Sequence, residues 1–116
     1  MRINNLYEDA AGVSHFRDIE VEWAEQRPAS RNSAFQPASG IMFRETLSDY
    51  DVDWHPAPRR QYVINLDGGV HITAGDGETR YIGPGELVLV EDTTGKGHIS
   101  KFVGGAMRRS IFVAVE

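Results

Sequence analysis

A chain of 116 residues can enclose one hydrophobic core but not two, so residues 1–116 are expected to form a single domain. Its 41% hydrophobic and 25% charged residues exclude a disordered chain, and a formal charge of −5 excludes general attraction to nucleic acid or to an anionic membrane surface. The lack of cysteine excludes disulfides, thiolate catalysis and Cys-based zinc clusters.

Taken in chain order, MRINNLYEDAAG (1–12) has no apolar run of the signal-peptide kind, and no later stretch approaches bilayer length. A soluble, cytoplasmic protein is expected, with neither nucleic acid nor membrane as a partner. In DIEVEW (18–23), Ile19, Val21 and Trp23 alternate with Asp18, Glu20 and Glu22, the pattern of a strand with one solvated face. Residues 25–39 mix Pro, Ser, Asn and Gln without a period and read as an irregular connection. GIMFRETL (40–47) resumes an extended pattern, and Asp49, Asp51 and Asp53 then read as a hydrated segment.

WHPAPRRQYVINLDGG (54–69) begins as a polar, ring-rich loop and turns into an alternating strand at QYVINL (61–66). Such a loop at a sheet edge is what the mouth of a small β-barrel requires. GVHITA (69–74), TRYI (79–82), ELVLVE (86–91), HISKFVG (98–104) and SIFVAVE (110–116) follow, separated by glycine-bearing connections that supply the positive φ of tight turns. ELVLVE is expected to be the most deeply buried, because Leu87, Val88, Leu89 and Val90 leave no polar face. No amphipathic helix, internal repeat or low-complexity tract is legible. Roughly eight short strands in one domain predict an all-β fold, an antiparallel sandwich or barrel.

Two phrases carry chemistry. The first, 54–68, holds His55, Ala57, Gln61 and Gly68; the second, 84–98, holds Pro84, Gly85 and Glu86, the LVLV strand, Gly95 and His98. Together they resemble the two linked motifs of the cupin superfamily, over a little under half the chain. Within that pattern His55 takes the first histidine position, Ala57 the second, and Gln61 the position of the glutamate; Thr93 stands where a proline is usual. The resemblance implies an antiparallel double-stranded β-helix, the jelly-roll barrel, and is strongest to small single-domain bacterial members of unassigned function.

It further implies a divalent ion, iron, manganese, zinc or nickel, held by His55, Gln61 and His98 on neighbouring strands that face one cavity. That donor set is neutral, so the ion would keep its charge and favour an anionic substrate as a further ligand. Arg59 and Arg60 are close in sequence, and two-residue alternation sets Arg59 on the face of His55 and Gln61 as a substrate-binding cation. Glu91 or Asp92 could supply a missing negative charge, Glu91 being expected beside Arg59 as a substrate-binding residue. His71 is expected to face solvent, His15 to be structural, and Arg108 and Arg109 to form a solvated turn.

DTTGKGH fails the phosphate-loop pattern at both ends, with Val90 and Gly97 at the defining positions. No GxSxG elbow is present, which removes the commonest serine-hydrolase signature. Paired-carboxylate glycosidase chemistry stays open. Three readings remain: a metal-dependent enzyme acting on an anionic or carbonyl-containing small molecule, a metal-free epimerase or isomerase, and a noncatalytic small-ligand module. A homodimer is expected, as is common in that superfamily, with the DIEVEW strand as the candidate edge.

Overall fold

The computed structural model describes residues 1–47, 51–103 and 107–116, so Asp49 lies outside the described residues. Strands and turns account for the regular structure, and no helix occurs among the described residues. The strands are β1 (Arg2–Glu8), β2 (Ser14–Glu20), β3 (Glu25–Gln26), β4 (Arg31–Asn32), β5 (Ala38–Thr46) and β6 (Asp51–His55). They continue with β7 (Gln61–Asn65), β8 (Gly69–Thr73), β9 (Thr79–Ile82), β10 (Leu87–Val90), β11 (His98–Val103) and β12 (Arg108–Val115).

A six-stranded sheet runs β2-β1-β10-β7-β12-β5, a four-stranded sheet runs β6-β11-β8-β9, and β3 with β4 forms a short hairpin inside the 25–39 connection. The expectation of purely antiparallel pairing needs correcting, because β1 pairs with β10 in parallel, Asn4 opposite Val88 and Leu6 opposite Val90. β2 already occupies the other edge of β1 as its hairpin partner, so the free edge is left to a strand far along the chain. Parallel pairing needs such a long connection, here most of the domain. Among the described residues the sheets do not merge into a closed barrel: β2 and β5 end one, β6 and β9 the other.

β1 was concealed by its own polarity. Asn4 and Asn5 are buried because their amides donate to the Leu87 and Leu89 carbonyls, at 3.1 and 3.0 Å, and so serve the β1–β10 ladder. DIEVEW is strand only to Glu20, although half-buried Val21 and Trp23 continue its alternation. ELVLVE meets its expectation, with Val88, Leu89 and Val90 all buried.

Strand periodicity divides the six-stranded sheet into two apolar faces. Leu6, Phe16, Val88 and Val90 from its inner face pack with Val70, Ile72 and Ile82 of the four-stranded sheet. Each fully buried aliphatic side chain there contributes about 1.5–3 kcal/mol. The outer face carries a second cluster, in which Ile3, Leu89 and Val115 are buried beside Tyr62 and Leu87. Segment 21–36 borders it, and Tyr62 Oη donates to Gln36 Oε1 at 2.6 Å.

Candidate functional site

A cavity of about 400 Å³ lies between the inner faces of the two sheets. Alternation along β7 sends Gln61, Val63 and Asn65 into it, and along β11 His98 and Ser100. His55 arrives from the end of β6, paired in register with His98. The two imidazole centroids are 4.6 Å apart and their planes tilt by 54°. All three residues expected to bind a metal therefore line one chamber.

Both imidazoles are oriented from behind. His55 Nδ1 donates to the Asp53 carbonyl at 2.8 Å, since a carbonyl only accepts. His98 Nδ1 meets Asp92 Oδ2 at 2.5 Å, with Asp92 fully buried and its Oδ1 without a partner among the described residues. A ring fixed through Nδ1 presents Nε2 as its free donor atom, the arrangement that orients metal-binding histidines.

The loop between β10 and β11 is built to hold this geometry. Gly97 has φ +84°, and a Cβ there would collide with the His55 carbonyl, so only glycine lets the chain pass that closely. Ser14 Oγ donates to the Gly97 carbonyl at 2.7 Å, and Ala57 N donates to the Asp92 carbonyl at 3.0 Å. The Glu8 carboxylate accepts from Thr94 Oγ1 at 2.7 Å and from the Thr94 and Gly95 amides. Those bonds, led by the Thr94 hydroxyl, hold its pKa below the usual carboxylate value.

Sequence reasoning missed two cations of this chamber. Arg108, expected in a solvated turn, is only 5% exposed, lines the cavity and donates from Nη1 to Asn65 Oδ1 at 3.2 Å. Its place on the same face of β12 as Phe112 was the available signal. Arg44 reaches the cavity from β5 with its guanidinium 4.4 Å from the centre of the Phe112 ring. Arg109, by contrast, is exposed and paired with Asp67 as a turn residue would be.

Neither residue expected to bind substrate lines this cavity. Arg59 is exposed and borders an adjoining recess that shares Gln61 and Phe112 with it. Glu91 follows cavity-lining Val90 and so projects from the opposite face, where Arg60 Nε donates to it at 2.5 Å and Asn5 Nδ2 at 2.7 Å. Of the two acids considered there, Asp92 is the one that backs the site.

No family profile matches the chain, and no curated protein is significantly similar to it. Among solved structures it is similar to a conserved Streptococcus pyogenes protein of unknown function, SPY1581. That chain is 19% identical with a TM-score of 0.49, over 74% of this chain and 72% of the other. It is also similar to protein NMB1881 from Neisseria meningitidis, 15% identical with a TM-score of 0.48, over 76% of this chain and 90% of the other.

The lining is mostly apolar, and no carboxylate contributes to it among the described residues. Polar groups gather at two places along β7. Gln61 lies at one end of β7; Asn65 and Arg108 stand four residues away, about 13 Å along a strand. A ligand spanning the chamber meets neutral donors at one end, a cation at the other and aliphatic walls between. Remaining His15 and His71 lie outside the lining: His71 is exposed against Tyr81, and His15 is clamped between two carboxylates.

Proposed function

We propose that the chain is a small-molecule enzyme built on the cupin jelly-roll plan. In this reading a divalent ion sits between His55, His98 and Gln61, and the substrate is an anionic or carbonyl-containing compound. The observation that carries the reading is the common orientation of the two imidazoles, each tied through Nδ1 and each free at Nε2.

The donors fit such an ion chemically. Two imidazole nitrogens suit iron, nickel or zinc, and the Gln61 side chain, which lines the same cavity, offers an amide oxygen. Among the described residues no three His, Cys, Asp or Glu side chains gather as a ligand group; in this reading the third donor would be the neutral amide. The ion would supply Lewis acidity, polarising a carbonyl or carboxylate oxygen. Arg108 and Arg44 would orient the anionic end of the substrate, while Val63, Val70 and Val88 exclude water around its middle.

A second reading is favoured by the Asp92–His98 bond. A buried carboxylate holding one ring nitrogen leaves the other as a general base, which suits metal-free proton transfer next to a carbonyl. Elemental analysis of protein purified without added metal separates the two. Near-stoichiometric metal that is lost in His98→Ala supports the first; metal-free protein that turns over a carbonyl compound supports the second. Tight ligand binding without turnover across a broad substrate screen would make the chain a binding module and remove both.

A further inference from the structure

We infer that the anion taken by this chamber is a phosphoryl group, gripped by Arg44, Thr46, Arg108 and Ser110, an assignment that rests on the chamber being the site of an anionic small molecule. Strand register brings these residues together. Ser110 of β12 stands opposite Arg44 of β5 on one side and Asn65 of β7 on the other, and Arg108 stands opposite Thr46. Residues directly opposite share a face, with Cβ atoms about 4.5–5.5 Å apart, and Arg108 shares it with Ser110, two residues on. Arg44, Asn65 and Arg108 line the cavity, so all five belong to the inner face of the sheet.

Part of the hydrogen-bonding capacity of this polar patch is unused. Ser110 and Thr46 are only 2% and 5% exposed, yet neither hydroxyl oxygen has a partner among the described residues. Buried hydroxyls are as a rule paired, so these two point to an acceptor that arrives with a ligand. Asn65 has no donor to spare, since its Nδ2 donates to the Ile82 carbonyl at 2.9 Å, and its Oδ1 accepts from Arg108. It positions that guanidinium. Arg44 lies against the Phe112 ring, without a carboxylate partner among the described residues.

Donor number and charge select the anion. A carboxylate has two coplanar oxygens and one charge, and a single arginine fork matches it. A phosphoryl group carries three terminal oxygens and up to two charges, so it can accept from two guanidiniums and from hydroxyls on both strands at once. Arg44 is exposed and Arg108 buried, which gives the anion one cation at the solvent side and one inside. The ligand is then a small organic phosphate, of a size that a chamber of about 400 Å³ accepts, with its organic part against the aliphatic walls.

Calorimetric titration of chelator-stripped protein with inorganic phosphate, and with acetate at the same ionic strength, tests the assignment without metal or turnover. The expected result is saturation at one phosphate per chain, with acetate bound at least about tenfold more weakly. Arg44→Met should weaken phosphate binding about tenfold, and Ser110→Ala and Thr46→Val about fivefold each. Unchanged circular dichroism spectra show that these variants fold. Arg109→Met removes the same charge from an exposed neighbour paired with Asp67 and should leave the affinity unchanged. Acetate bound as tightly as phosphate would keep an anionic ligand and overturn its phosphoryl class. Phosphate that never saturates, or that is weakened as much by Arg109→Met as by Arg44→Met, would overturn the site, whether or not the same protein takes up cobalt at its imidazoles.

Discussion

His55 and His98 face each other across the β6–β11 ladder, ring centroids 4.6 Å apart, each with Nδ1 held by an oxygen behind it. One ring rests on a backbone carbonyl and the other on a buried carboxylate. That difference makes the second support accessible to mutation.

Replacing Asp92 separates orientation from folding. Asp92→Ala leaves His98 Nδ1 buried without an acceptor and is expected to cost about 2–3 kcal/mol in chemical denaturation. Asp92→Asn keeps the volume and an acceptor oxygen, so it should stay folded while the affinity for a divalent ion falls about tenfold. Calorimetric titration of the Asn variant checks the second expectation.

Gly97 and Gly77 make a matched pair. Both have positive φ, +84° and +95°, but a Cβ at Gly97 collides with the His55 carbonyl whereas one at Gly77 meets nothing within 4 Å. Gly77→Ala should cost about 1 kcal/mol from backbone conformation alone, and Gly97→Ala at least ~2 kcal/mol. Equal losses in urea denaturation would mean that the close approach of β11 to His55 contributes nothing.

The pH dependence should carry a signature of His15, whose Nε2 is 2.8 Å from Asp9 and whose Nδ1 is 2.8 Å from Asp76. The bond to Asp9, then that to Asp76, raises the His15 pKa above its ordinary 6.5, while both carboxylates are lowered from 3.8. A raised folded-state pKa contributes stability that is full below the ordinary value and lost as pH rises through the folded one. The carboxylates contribute the opposite limb, lost as pH falls through their lowered values. Thermal melts of wild type and His15→Gln should therefore converge on the alkaline side and diverge near pH 6.

Arg108 should set the ligand charge. Small carboxylates are expected to raise the wild-type melting temperature more than the uncharged amides of the same acids. Arg108→Met, which keeps most of the volume, should abolish the difference. A preference that survives in the variant would place the anion elsewhere.

Much of this was legible because strand periodicity and glycine turns are local signals. The strands from β7 to β12 follow the alternating runs closely, and motif spacing alone brought His55, Gln61 and His98 to one chamber. What escaped depends on partners distant in sequence. β1 looked too polar until Leu87 and Leu89 supplied acceptors for its asparagines, and its parallel pairing with β10 has no local signature. Arg108 was misjudged because a pair of arginines before a strand reads as a turn, although its parity with Phe112 points inward. Glu91 was legible by the same rule in reverse, one residue beyond an inward Val90.

Cobalt(II) titration of chelator-stripped protein, followed by its visible absorption, bears on the imidazole pair itself. The structure-based expectation is saturation at one ion per chain, with the signal abolished in His55→Ala and in His98→Ala and weakened in Gln61→Ala. An absorption that never saturates, or one that persists unchanged without either imidazole, would contradict a metal centre between His55 and His98.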